Sequence, residues 1–182
     1  MRGKRYLILV VVFFMLAYQS VNAQEVSITP TPTSTPVQYS LPYPGILPGN
    51  PLFFLKTIRD NIISFMISNP QKKAEFNLLQ ADKSFATGQY LLDKNQDEVQ
   101  ALVSFNQGNK YFEDALEKLK EANQQGFASK DFAKKLSLAN LKYQEIILGV
   151  IEKAKGEDKK QLLNELTKVK NLGKQAALLQ RK

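Results

Sequence analysis

The chain has 182 residues, with 25 Lys or Arg against 17 Asp or Glu and with neither cysteine nor histidine. Those absences exclude disulfides, thiol chemistry and the usual transition-metal ligands, leaving only carboxylates, which suit hard cations. The formal charge of +8 is uneven: residues 24 to 125 hold 9 basic against 11 acidic side chains, net −2, and residues 126 to 182 hold 13 against 6, net +7.

Arg2, Lys4 and Arg5 precede an apolar run from Tyr6 to Ala17, and Val21-Asn22-Ala23 places small or branched residues where a signal peptidase cuts. Residues 1–23 therefore read as a secretory signal peptide with Gln24 as the mature N-terminus. The alternative is an uncleaved membrane anchor, but an apolar run to Tyr18 gives only about 20 Å of helix against a hydrocarbon core of about 30 Å. The expected location is extracytoplasmic, secreted or in the cell envelope.

Residues 24–50 read as a linker. Thr29-Pro30-Thr31-Pro32-Thr33-Ser34-Thr35-Pro36 alternates Pro with Thr and favours extended geometry, as in a spacer. Export would allow O-linked sugar there, but no Asn-x-Ser/Thr sequon occurs. Tyr43-Pro44-Gly45-Ile46-Leu47-Pro48-Gly49-Asn50-Pro51 then forces turns, and Asn50 with Pro51 reads as an N-cap and first-turn proline.

Residues 51–182 read as one all-α domain, an antiparallel helical bundle of two long hairpins plus a short apolar N-terminal helix. From Leu52 to Ile67 ten of sixteen residues are large and apolar, wider than one amphipathic stripe. The structural expectation is a helix buried in a groove of the bundle; the functional one is a membrane-surface or partner-binding helix. A second helix is expected from Pro70 to about Asp93 behind Asn69, a third from Asp97 to before Gly126, a fourth from the Ser129 cap to about Lys155, and a fifth beyond Gly156. No segment has the period of two that a strand needs.

The second and third helices carry heptad seams, Ala74, Leu78, Ala81, Phe85, Gly88, Leu92 and Ala101, Phe105, Gly108, Phe112, Ala115, Leu119. Folded about a turn near Gln96, they set one large residue against one small in every layer, with Phe85 over Gly108 and Phe105 over Gly88. A second hairpin about Gly156 pairs Ile146 with Leu166, Tyr143 with Val169 and Ala139 with Gly173, mostly large on large.

No catalytic constellation, metal site or cofactor-binding motif is legible, so the expectation is no enzyme and no cofactor. The carboxylates Asp97-Glu98, Glu113-Asp114-Glu117 and Glu157-Asp158 cluster in sequence, yet lysines such as Lys110, Lys118 and Lys120 beside them suit a solvated helix face. An envelope hydrolase using paired carboxylates is the alternative, and it requires two acids about 5 to 10 Å apart on a cleft. The basic half offers Lys153, Lys155, Lys159, Lys160, Lys168, Lys170 and Lys174 as contacts for an anionic polymer. Without aromatic or arginine interleaving these lysines do not suit nucleic acid; the bland reading is a solvated helix surface.

Residues 43 to about 125 resemble a known family. The run Leu47-Pro48-Gly49-Asn50-Pro51-Leu52-Phe53-Phe54-Leu55-Lys56, followed by Asn69-Pro70-Gln71-Lys72-Lys73-Ala74-Glu75-Phe76 and Ala81, is similar to the bacterial "domain of unknown function 5667" family, whose members begin with Leu-Pro-Gly-x-x-Pro-Leu-Tyr-x-x-Lys ahead of a helical region. The resemblance implies an exported or membrane-tethered helical protein and transfers no catalytic residue. Lys83-Ser84-Phe85-Ala86 stands where that family shows Arg-Leu-x-Glu, and the last 57 residues lie outside the resemblance. Taken together, the expected function is that of an exported, non-enzymatic interaction or structural module whose partner is an envelope protein or an anionic wall polymer, with membrane-surface contact a further expectation.

Overall fold

Side-chain caps set the helix starts. In a computed structural model of the chain, which describes residues 36–95 and 97–180, Asn69 Oδ1 accepts from the Lys72 N–H at 2.9 Å with Pro70 in the first turn. Asp97 Oδ1 accepts from the Gln100 N–H at 3.0 Å, and Ser129 Oγ from the Phe132 N–H at 3.4 Å. Each satisfies an amide that has no carbonyl one turn back. The resulting elements are α1 (Phe53–Met66), α2 (Pro70–Tyr90) continued by a π-helical turn (Leu91–Asn95), α3 (Glu98–Gln124), α4 (Lys130–Ile151) and α5 (Gly156–Gln180). The described residues contain no strand. The expected signal peptide and the linker as far as residue 35 lie outside them.

The start of α1 differs from expectation for a local reason, and the end of α3 falls before Gly126 as expected. Asn50 Oδ1 accepts from the Leu52 N–H at 2.8 Å, closing a turn ahead of α1, so the helix starts at Phe53 with no side-chain cap. After α3 the Phe127 N–H reaches back to the Ala122 carbonyl at 2.8 Å with Gly126 at φ 75°, a left-handed stop that glycine adopts without a Cβ clash.

The seams fold as their small residues dictate. A Cβ on Gly88 would stand 2.5 Å from Phe105 Cε1, and one on Gly108 would stand 2.7 Å from Phe85 Cδ2, so each glycine is where a ring lies on bare backbone. The layers Phe85–Gly108 and Phe105–Gly88 thus pair large on small as expected, and both seams are buried except for the half-buried Leu92. Phe85 also stacks on Tyr143 of α4, centroids 3.9 Å apart and planes 4° off parallel, and Phe112 meets the same ring edge-on at 5.5 Å. This aromatic cluster joins α2 and α3 to α4. Between α4 and α5 the register is carried partly by a polar residue: Asn140 lies on Gly173 and donates to the Val169 carbonyl at 2.8 Å.

α1 departs from the structural expectation. It does not fill a groove: Phe65 is 90% exposed, Met66 73% and Phe54 67%, and the helix's buried residue is Asp60. The inward side is narrow and mixed, with Phe53, Lys56, Ile63, Ser64 and Ile67 half-buried around Asp60. The cause is the surface that α1 faces. α2 and α3 set polar groups beside α1: Lys73 donates to the Ser64 carbonyl, Lys83 lies near Lys56, and Tyr111 near Asp60. The polar side of α1 turns in and the apolar side turns out.

Residues ahead of α1 also touch the bundle. The Val37 N–H donates to Glu145 Oε2 at 3.0 Å, Tyr39 and Leu41 rest on the core, and Pro44 is buried.

Candidate interaction surfaces

At 100° per residue, Phe54, Leu55, Ile58, Ile62, Phe65 and Met66 fall within an arc of about 120° on α1. All six are exposed. Monomeric proteins seldom leave a contiguous apolar patch of this kind uncovered unless it binds something. The cations nearby are Arg59, bidentate on Asp60 Oδ1 at 2.8 and 3.0 Å, Lys56, which burial beside Lys83 and Arg59 lowers against the pull of Asp60, and Lys72 and Lys73 just beyond. Residues 52 to 73 hold four basic side chains and one acidic.

The seven lysines proposed as anionic-polymer contacts are all exposed. Lys159, Lys160, Lys170 and Lys174 share an arc of about 100° on α5, but Lys159 and Lys174 lie roughly 22 Å apart along it. Lys168 is on another side, paired with Glu165 at 2.7 Å, and Lys160 reaches Glu157 at 3.6 Å. Lys153 and Lys155 lie at the α4–α5 connection. The lysines form a loose stripe, not a pocket.

A strongly perturbed group lies inside. Asp82, on α2 beside the seam and 5% exposed, accepts from the Tyr143 hydroxyl at 2.5 Å on one oxygen and from the Tyr39 hydroxyl at 2.7 Å on the other. Burial pushes its carboxyl up to about 6, against the opposing hydrogen bonds from Tyr143 and Tyr39 and the charge of Lys135. Both phenols are pushed up as well, by burial first and by Asp82 second. With each carboxylate oxygen held by a phenol, the group works as a lock between α2, α4 and the strap of residues 36 to 52 that precedes α1. Sequence reading missed it because 43 and 61 residues separate the partners. The available signal was Tyr143 itself, a seam phenol that the sequence register sets against apolar Val169, so that its hydroxyl needs an acceptor elsewhere.

Glu165 of α5 forms a second buried polar cluster, accepting from Asn109 at 2.7 Å, Asn106 at 3.1 Å and Lys168 at 2.7 Å. Asn109 Oδ1 has no partner. The acidic runs noted in the sequence lie outside: Glu113, Asp114 and Glu117 are exposed, and Glu98 and Asp158 meet at the surface, where their contact raises the Glu98 carboxyl. A recess of about 60 Å³ lined by Leu119, Asn123, Ala128, Ser129, Lys130, Ala133 and Leu179 has room for a few waters.

Against known proteins, the family model described as Domain of unknown function (DUF5667) matches residues 45–178. It thus takes in α4 and nearly all of α5, which the motif resemblance ending near residue 125 left out, because those helices carry amphipathic pattern without a short motif. No curated protein and no solved structure gives a match.

Proposed function

Because the chain belongs to the family described as Domain of unknown function (DUF5667), which has no activity to transfer, we propose a role drawn from its own residues. The protein is an exported, non-enzymatic helical module that binds another component of the cell envelope. In this reading α2 to α5 form one bundle of two antiparallel hairpins whose task is to hold α1 with its apolar side outward. The outward face of α1 is the observation that carries it: a bundle that has buried its own core spends no stability on leaving six large apolar side chains in water unless a partner covers them. The amino-terminal basic and apolar segments and the Pro-Thr run support export and a spacer, and the lysines of α5 support a contribution from long-range attraction to an anionic wall polymer or protein.

The test combines fractionation with site-specific cross-linking. Full-length protein made in a bacterial host should leave the cytoplasm and begin at Gln24 by mass spectrometry. A photo-crosslinker at Phe65 should form adducts with envelope material, and one at Leu163 on α5 should not. A chain that stays cytoplasmic with its first 23 residues intact overturns export; equal labelling from both positions, or none, overturns the binding role of α1.

A further inference from the structure

The apolar arc of α1 sits on a projecting single helix about 21 Å long. Its six side chains are all exposed along one arc of a single helix, so the surface presented is convex and suits a medium that deforms around it. Two cations border the arc: Arg59, paired with Asp60, lies at its edge beside Met66, and Lys72 is exposed in the first turn of α2; the span 52 to 73 is net +3, with Lys56 and Lys73 turned inward. The polar inward side holds the helix on the bundle through Asp60 and the Lys73–Ser64 contact. A short helix with aromatic and branched residues on one face and Lys or Arg at its margins is the form that lies in the plane of a bilayer interface. A second copy of the chain is a poorer occupant, because an isologous contact would bring the same net positive charge to both sides.

Resting on the reading of α1 as a binding face, we infer that its occupant is an anionic lipid surface: Phe54, Leu55, Ile58, Ile62, Phe65 and Met66 enter the headgroup–acyl boundary while Arg59 and Lys72 contact anionic headgroups. α1 then lies on the membrane and the bundle stands above it, with α4 and α5 on the far side from the lipid.

The chain contains no tryptophan, so single-tryptophan variants report position without further changes. In the full chain, Phe65→Trp should shift its emission to the blue and lose access to an aqueous quencher on phosphatidylglycerol vesicles. It should respond far less on phosphatidylcholine, and the effect should fade with added salt. Leu163→Trp, on the opposite hairpin, should not shift. Adding Ile62→Asp to the Phe65→Trp chain should weaken vesicle binding by about tenfold or more, since a charge then faces the acyl boundary. Ile62 is exposed, so helix content by circular dichroism should not change. No blue shift on anionic vesicles at low salt overturns the inference, as does a shift that survives Ile62→Asp or is equal on both lipids. A lipid-free blue shift that grows with protein concentration assigns the face to a second copy and also overturns it. None of these outcomes bears on export, which the fractionation reads separately.

Discussion

Gly108→Ala sets two effects of opposite sign against each other. Alanine in a helix interior is better than glycine by about 1 kcal/mol. Its Cβ would arrive 2.7 Å from both Cδ2 and Cε2 of Phe85 and 3.3 Å from Ser84 Cβ. Ordinary contact begins at 3.4 Å, so the ring must retreat by about 0.7 Å. It has nowhere to go, being fully buried and stacked 3.9 Å from Tyr143. Overpacking of this kind costs about 1 to 3 kcal/mol, so the net change is from near zero to about 2 kcal/mol destabilising, and Gly108→Leu should do worse. Gly149 supplies the control: it lies in α4, exposed, with nothing near its missing Cβ, so Gly149→Ala should stabilise by about 0.5 to 1 kcal/mol. Urea unfolding with the slope held in common reads both. A Gly108→Ala protein that gains stability alongside Gly149→Ala would refute the claim that Phe85 lies rigidly on bare backbone.

Tyr143→Phe keeps the ring stack but removes the donor to a buried carboxylate, and should cost about 2 to 3 kcal/mol in thermal or urea unfolding at neutral pH. Tyr39→Phe should cost only about 1 kcal/mol, because water reaches the half-buried strap, and should speed amide exchange at residues 37 to 41. Since the Asp82 carboxyl is raised in the folded state from 3.8 to about 6, the folded protein holds the extra proton between those values. Stability from Asp82 is therefore full below about pH 4 and lost as pH rises through about 6, a loss of roughly 3 kcal/mol that Asp82→Asn should abolish. The difference between the two proteins' unfolding free energies across pH 4 to 7 checks the sign. Glu165→Ala should cost about 1 to 3 kcal/mol by stranding the Asn109 amide, and adding Asn109→Leu should recover part of that loss.

What the sequence made legible was local or periodic. Asn69-Pro70, Asp97 and Ser129 act within three residues, and the large-on-small order of the α2 and α3 seams follows from spacing alone, so helix starts and the Phe85–Gly108 layer are read directly. The orientation of α1 was not. Lys56, Thr57, Asp60, Asn61 and Ser64 share a polar side that spacing does show, but spacing does not say which side faces the bundle, and the choice is made by what α2 and α3 present, Lys83 and Tyr111 near Lys56 and Asp60. The buried polar groups share another property. Asp82, Asn140 and Glu165 each sit next to a seam residue, Ala81, Ala139 and Leu166, at flank positions that read as solvent until a third helix or a strap covers them. Only tertiary contact decides that, which is why the lock was missed while its tyrosine was assigned to the core.

The strap changes how the molecule bears tension. Any pull from upstream of Pro36 reaches the flank of the bundle first, at the Val37–Glu145 and Tyr39–Asp82 bonds, and reaches the end of α1 only after both have broken. These bonds, together with the packing of Tyr39, Leu41 and Pro44, open one after another, which takes less force than shearing a helix along its length, so residues 36 to 52 should yield first, as a mechanical fuse. Once blown, it releases up to about 50 Å of slack while the helices stay folded. Because Asp82 is one of its contacts, the force at which it yields is set partly by pH.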